Sequence, residues 1–329
     1  MRDWLFLAKG VLSCVGGLLV SSLAVLPAHG QDFPTKPIRL MVPWPPGGGV
    51  DIAARTLQPG MAENLRQPVI VDNRAGASGL IGTEMAARAP ADGYTILIGA
   101  AGPNAIVPLL MPKPPYDAQK AFTEVMLFAN TFYVMAVNPK LPVNTIKDFV
   151  ALAKAKPGQT FGTTGTGTPA FISGELLRVA AGISLTPVFY KGAALAALDV
   201  VAGNITMTIE TVSPIIPHIK SGRLKALGVT ATRRSSQLPE VPTIAESGYP
   251  GFEVINWYGV LAPAGTPRGP VNRLYKEVSA VVKTPVVRER LVAAGLEVVD
   301  LNPDQYAAFR KADLKHWAKV IKDTNLKLD

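Results

Sequence analysis

The chain has 329 residues, 48% hydrophobic and 17% charged, with 33 lysines and arginines against 24 aspartates and glutamates, a formal charge of +9. One cysteine and three histidines rule out a disulfide framework and leave thiolate or imidazole metal sites and catalytic triads without their usual parts. The basic residues are scattered, with Arg233-Arg234 and Arg288-Glu289-Arg290 nearest to clusters, which favours a general anion-attracting field over a nucleic-acid-binding stripe.

Residues 1–30 combine Arg2 and Lys9, an apolar run from Val11 to Leu26 broken by Gly16, Gly17, Ser21 and Ser22, and small residues at Ala28 and Gly30 ahead of Gln31. That is the pattern of an export signal cleaved near Gly30 rather than of a membrane anchor. Cys14 lies inside this leader, so the mature chain has no cysteine. Taking 30 residues from 329 leaves 299, and removing two bases and one acid leaves a charge of +8. A chain of that length suits two domains of about 150 residues.

Ile38 to Val42 reads as a strand, Trp44-Pro45-Pro46-Gly47-Gly48-Gly49 as a glycine-rich loop, and Asp51 to Leu57 as the start of a helix. The unit repeats through a strand at 69–71, a loop to Gly79 and a helix at 80–89; a strand at 95–98 then runs into Gly99-Ala100-Ala101-Gly102. A strand over 132–137 leads out of this series. A second series has helices at 145–155 and 168–181 and strands at 160–162, 187–189, 205–209 and 225–229. A strand over 254–261 follows, then helices at 270–283, 285–294 and 304–323. Alternating strands and helices predict an α/β fold with a largely parallel sheet, the chain crossing between domains near 132 and 254.

In such sheets ligands sit beyond the carboxyl ends of strands, where helix N-termini present free N–H groups. Four glycine-rich loops qualify: Pro45 to Asp51, Ala75 to Gly82 with Ser78 and Gly79, Gly99 to Gly102 with Ala101, and Gly162 to Thr168 with Thr164, Gly165, Thr166 and Gly167. Any one of them is weak evidence, because strand-to-helix turns need glycine anyway, and Asp51 and Thr168 also serve as helix caps. Trp44, Phe171, Tyr190 and Trp257 are the aromatic candidates beside the loops, and Glu210 ends a strand. For Trp257, core packing and ligand contact weigh equally. Gly165-Thr166-Gly167-Thr168-Pro169-Ala170 lacks the acidic residue a dinucleotide site needs some 20 positions on, and no Walker lysine or serine elbow is present.

Together Pro34-Thr35-Lys36-Pro37-Ile38, Val42-Pro43-Trp44-Pro45-Pro46-Gly47-Gly48-Gly49 with Asp51 and Arg55, Asn73-Arg74, Asp92-Gly93-Tyr94-Thr95, Tyr190-Lys191-Gly192, Leu238-Pro239-Glu240-Val241-Pro242-Thr243 and Ala262-Pro263-Ala264-Gly265-Thr266-Pro267 resemble the Bug-type receptors of tripartite tricarboxylate transport systems. The resemblance covers essentially the whole mature chain. It implies a periplasmic solute-binding protein of type II fold, α/β and two-lobed with two crossing hinge strands. Lobe 1 would comprise 31–131 and 254–329, and lobe 2 would comprise 132–253. The expected ligand is a small carboxylate, held by Trp44 to Gly49, Ser78-Gly79, Thr164 to Thr168 and Tyr190, with no cofactor. The expected partner is a membrane permease of two subunits, and the receptor is expected to be a monomer that binds no nucleic acid.

Two departures bear on the ligand. Phe171 stands where the family often has histidine, and Glu210 where it often has aspartate. If both line the far end of the pocket, they point to an acid with an aromatic or apolar body. The rival readings are a sensory or scaffold protein using the same cleft, and an enzyme on this scaffold, for which the sequence offers no clustered acid, base or nucleophile.

Overall fold

Strands and helices alternate along most of the chain in the computed structural model, which describes residues 33–324. The first series is β1 (Ile38–Val42), α1 (Gly49–Leu65), β2 (Val69–Asn73), α2 (Leu80–Ala87) and β3 (Thr95–Ala100), followed by a π-helical turn at Gly102–Ile106 and α3 (Val107–Leu110). β2, β1 and β3 are parallel neighbours, with Ile38 opposite Val69 and Arg39 opposite Thr95. β1 is almost wholly buried, as expected of a strand covered by helices on both faces.

β4 (Phe122–Val137) then leads to α4 (Ile146–Ala155), β5 (Gln159–Thr163), α5 (Pro169–Ala181), β6 (Leu185–Phe189), α6 (Ala193–Ala202), β7 (Met207–Thr211), α7 (Val212–Lys220) and β8 (Lys225–Val229). The chain returns through β9 (Ile255–Pro263), α8 (Arg268–Lys283), α9 (Pro285–Ala293), β10 (Glu297–Leu301) and α10 (Pro303–Thr324).

The two halves of the sheet share one strand. β9 lies antiparallel between β3 and the first part of β4, pairing with β4 up to Phe132 opposite Ile255. From Tyr133 onward β4 pairs instead with β7 and β8, and β7 continues to β5 and β6. The chain therefore passes from one half to the other at Phe132–Tyr133 and comes back at Val254–Ile255.

Buried Thr230 ties these two passages together. Its hydroxyl accepts from the Tyr133 N–H at 2.9 Å and donates to the Val254 carbonyl at 2.5 Å, while the Val254 N–H donates to the Thr230 carbonyl at 3.0 Å. The C-terminal helix fastens the first half: Arg310 pairs with Glu124 of β4 at 2.5 Å, and the Trp257 and Trp317 indoles both donate to Asp313, at 2.8 and 3.0 Å.

The sheet is mixed rather than largely parallel, because β4 and β9 pair antiparallel with all their neighbours, and individual elements depart from the sequence expectation at several further points. β4 has 16 residues rather than the six from 132 to 137, because Thr123, Glu124 and Asn130 interrupt the apolar run while the ladders to β9 and β10 carry the strand through them. The Gly99 to Gly102 loop is shorter than expected, since Gly99 and Ala100 complete β3. β10 gave no recognisable run. The sequence carries no clear period for α6 and α7, the first because Ala193–Ala202 is apolar on nearly every face, the second because Pro214 and Pro217 obscure it.

Candidate functional site

Four strand-to-helix turns converge on one cavity. Gly48, Gly49 and Val50 at the start of α1, Thr168 and Pro169 at the start of α5, Gly192 and Ala193 at the start of α6, and Thr211 ahead of α7 all line it. The first N–H groups of a helix have no intrahelical acceptor, and the aligned peptide dipoles place about half a positive charge at each such end. Four of them border a space of about 50 Å³ and favour negative charge there, although no lysine, arginine or histidine is among the lining residues. Trp44, Pro45, Tyr133 and Tyr258 supply apolar wall; Thr164, Glu210 and Asn256 supply polar groups.

A buried network shapes the first loop. The Asp51 carboxylate accepts from the Gly47 N–H at 2.9 Å, from Arg55 Nε at 2.9 Å and from Asn73 Nδ2 at 2.9 Å, and Asn73 Nδ2 also donates to the Trp44 carbonyl at 3.0 Å. Burial opposes ionisation of Asp51, but these partners outweigh it and hold its carboxyl below the usual range. Asp51 thus positions the loop and does not line the cavity. Pro46 and Gly47 are exposed on the outer side of the turn. Gly79 lies under the Trp44 ring, where an added Cβ would be 3.2 Å from Trp44 Cζ2.

The second-half loop meets the first half directly. Ser78 Oγ donates to the Thr166 carbonyl at 3.1 Å, and Gly167 lies against Val107 and Leu110. Gly165 has φ +130°, a conformation side chains avoid, and a Cβ there would sit 2.4 Å from Ser78 Oγ. Gly165→Ala is therefore expected to hold this contact open and weaken ligand capture about tenfold, with Ser78→Ala restoring part of the loss. Calorimetric titration of the single and double variants checks it, and full affinity in Gly165→Ala would refute it. Thr168 caps α5, accepting from the Phe171 N–H at 3.2 Å while its hydroxyl donates to the Gly165 carbonyl at 2.8 Å.

Glu210 closes the floor. Its Oε2 accepts from the Thr211 N–H at 3.2 Å, and its Oε1 is buried with no hydrogen bond of good geometry. Burial pushes this carboxyl up to about 7, against hydrogen bonds from Thr164 and Thr211 that favour the charged form. The Tyr133 phenol beside it is pushed well up by burial, and so is that of Tyr258.

Of the residues singled out in the sequence, Trp44, Gly48, Gly49, Thr164, Thr168 and Glu210 come together on the cavity. Ser78, Gly165, Thr166 and Gly167 form the contact between the halves. Ala101 is buried behind the wall, its N–H donating to Asn256 Oδ1 at 3.0 Å. Tyr190 turns its hydroxyl to Asp199, at 2.6 Å.

Phe171 does not line the cavity. Its ring packs at 6.3 Å from Phe161 and 6.2 Å from Phe189, because the third residue of α5 faces the sheet beneath the helix. The apolar wall that a ligand body would meet comes from Trp44, Tyr133 and Tyr258. Trp257, left open between core and contact, is core, edge-on to Tyr306 and Phe309. Sequence reasoning missed Tyr133, Thr211, Gly192, Ala193, Asn256 and Tyr258. Gly192 and Thr211 had a usable signal, since the first follows a strand and the second ends one; Tyr133, Asn256 and Tyr258 sit inside apolar strands and had none.

The family model described as tripartite tricarboxylate transporter family receptor matches residues 53–326. Protein BugT of Bordetella pertussis (strain Tohama I) is 34% identical over 320 residues, covering 97% of this chain and 98% of that protein. The periplasmic binding protein BugD superimposes with TM-score 0.86 at 33% identity, over 90% of this chain and 99% of that one. R. palustris Rpa4515 with adipate gives the same TM-score of 0.86 at 33% identity, over 90% of this chain and 99% of that one.

Proposed function

The chain belongs to the receptor family of the tripartite tricarboxylate transporters, and from that premise we propose that it captures a small carboxylate in the cavity where its four helices begin and releases it chemically unchanged. The observation that carries this reading is the convergence of the N-termini of α1, α5, α6 and α7 on one space. Charge-assisted hydrogen bonds from such ends contribute about 1.5–3 kcal/mol each, enough in sum for micromolar binding. A related structure that contains adipate supports the ligand class.

Residues 31–131 with 254–329 act as one lobe and 132–253 as the other, hinged where β4 and the Val254–Ile255 passage cross. The Ser78–Thr166 contact holds the closed form, which is what a two-subunit permease reads. The absence of thiol, imidazole and amine groups among the lining residues supports a receptor over an enzyme. Capture takes place in the periplasm, by a monomer that binds no nucleic acid, after cleavage near Gly30. That site lies outside the described residues.

A thermal-shift screen of the processed chain against adipate, succinate, citrate, benzoate and amino acids tests the reading. A ligand at 100 times its Kd adds about 2.7 kcal/mol to stability. A selective shift with a carboxylate that is recovered intact is the expected result; no shift with any acid, or conversion of one, would overturn it.

A further inference from the structure

The anion site contains a carboxyl of its own. Glu210 is 2% exposed, lines the cavity, and has no hydrogen bond of good geometry at Oε1 while Oε2 is held by the Thr211 N–H. A buried oxygen in that state is costly unless a ligand completes it. An incoming carboxylate, drawn by the helix ends, would meet a like charge if Glu210 were ionised.

No cation in the surroundings offsets that repulsion. The titratable groups facing Glu210 are the phenols of Tyr133 on β4 and Tyr258 on β9, both neutral because burial raises them. Thr164 after β5 offers a hydroxyl and a backbone N–H that favour the charged form but do not outweigh burial, and Thr168 ahead of α5 adds a hydroxyl. The charged residues of the helices that begin here are engaged elsewhere. Asp51 and Arg55 of α1 pair with each other, Glu175 of α5 pairs with Arg178, and Asp199 of α6 accepts from Tyr190 and Asn204. His218 and Lys220 lie in the last turn of α7, at the end away from the cavity.

We propose that Glu210 is the neutral acid of the closed site and donates from Oε1 to a carboxylate oxygen of the captured ligand, so that each ligand is taken up together with one proton. The proton enters from solvent when the complex forms and returns to solvent when it opens. The inference rests on the carboxylate-capture reading and adds the chemistry of one contact. Two carboxyl groups at hydrogen-bonding distance share a proton because both cannot be charged there.

Burial already sets the titration of Glu210 near 7, and a ligand carboxylate beside it raises the titration further. The sign follows from linkage. Below the titration of the free receptor the proton is already present and affinity is flat; above it each capture must bind a proton, and affinity falls by up to tenfold per pH unit.

The test is calorimetric titration of the full processed receptor with adipate, or with the strongest acid of the screen, from about pH 6 to about pH 9, with the residual protonation of adipate itself near pH 6 subtracted from the proton count. At the upper end, buffers of different ionisation enthalpy should report close to one proton taken up per ligand, and close to none at the lower end. Glu210→Gln keeps a donor that does not titrate, so its affinity should be independent of pH. A wild-type affinity that is flat across the range with no proton uptake would overturn the inference and leave carboxylate capture standing. An affinity that rises with pH would also overturn it, making Glu210 an ionised acceptor for a ligand hydroxyl or ammonium. Failure of every acid to bind at any pH would overturn the capture reading itself.

Discussion

Gly49→Ala is expected to weaken ligand capture by tenfold or more without unfolding the chain. The backbone at Gly49 is ordinary helix start, so conformational strain is not the reason. A Cβ there would lie 2.6 Å from the Tyr258 hydroxyl and 3.5 Å from Thr211 Oγ1. Tyr258 is fully buried and cannot swing out, so the start of α1 has to retreat. Overpacking of this kind costs about 1–3 kcal/mol, and the retreat draws the α1 N–H groups away from the cavity in which the proposed carboxylate would bind. Tyr258→Phe removes the struck atom, so the double variant should recover part of the affinity. Isothermal titration checks both; wild-type affinity in Gly49→Ala would mean that the α1 turn is not part of the site.

Phe171→Ala has the second large effect, and it falls on stability. The side chain is 8% exposed, stacked on buried Phe161 and tilted against the more exposed Phe189 beneath α5. Removing a buried phenylalanine costs about 3–5 kcal/mol, because the transfer term is lost and the cavity left behind closes only partly. The midpoint of chemical unfolding should drop accordingly, while the folded fraction binds its acid with little change. A large loss of affinity at unchanged stability would instead put the ring against the ligand and revive an aromatic-bodied acid selected by this residue.

The two positions show what could be read in advance and what could not. Gly48, Gly49, Thr164 and Thr168 were legible because a strand that ends in glycines and opens a helix leaves free N–H groups wherever it occurs. Phe171 was not, because its place in the chain beside such a loop says nothing about which way a helical residue faces. Glu210 was visible as a carboxyl at a strand end, but its burial was not. That depends on β4 placing Tyr133 and β9 placing Tyr258 around the floor of the cavity, two strands separated by more than a hundred residues of sequence.

The amino-acid order alone determined the alternation of strands and helices over most of the chain, and the family. These rest on local periodicity, turn chemistry and motifs quoted residue by residue, and each is set by neighbours a few positions apart. Only the tertiary structure decided which loops share a cavity, which are contacts between the halves, and that one buried carboxyl lines the cavity where helix N-termini converge. Helix dipoles add up, and a carboxyl loses its solvent, only when distant elements are packed side by side, and no local pattern encodes that packing.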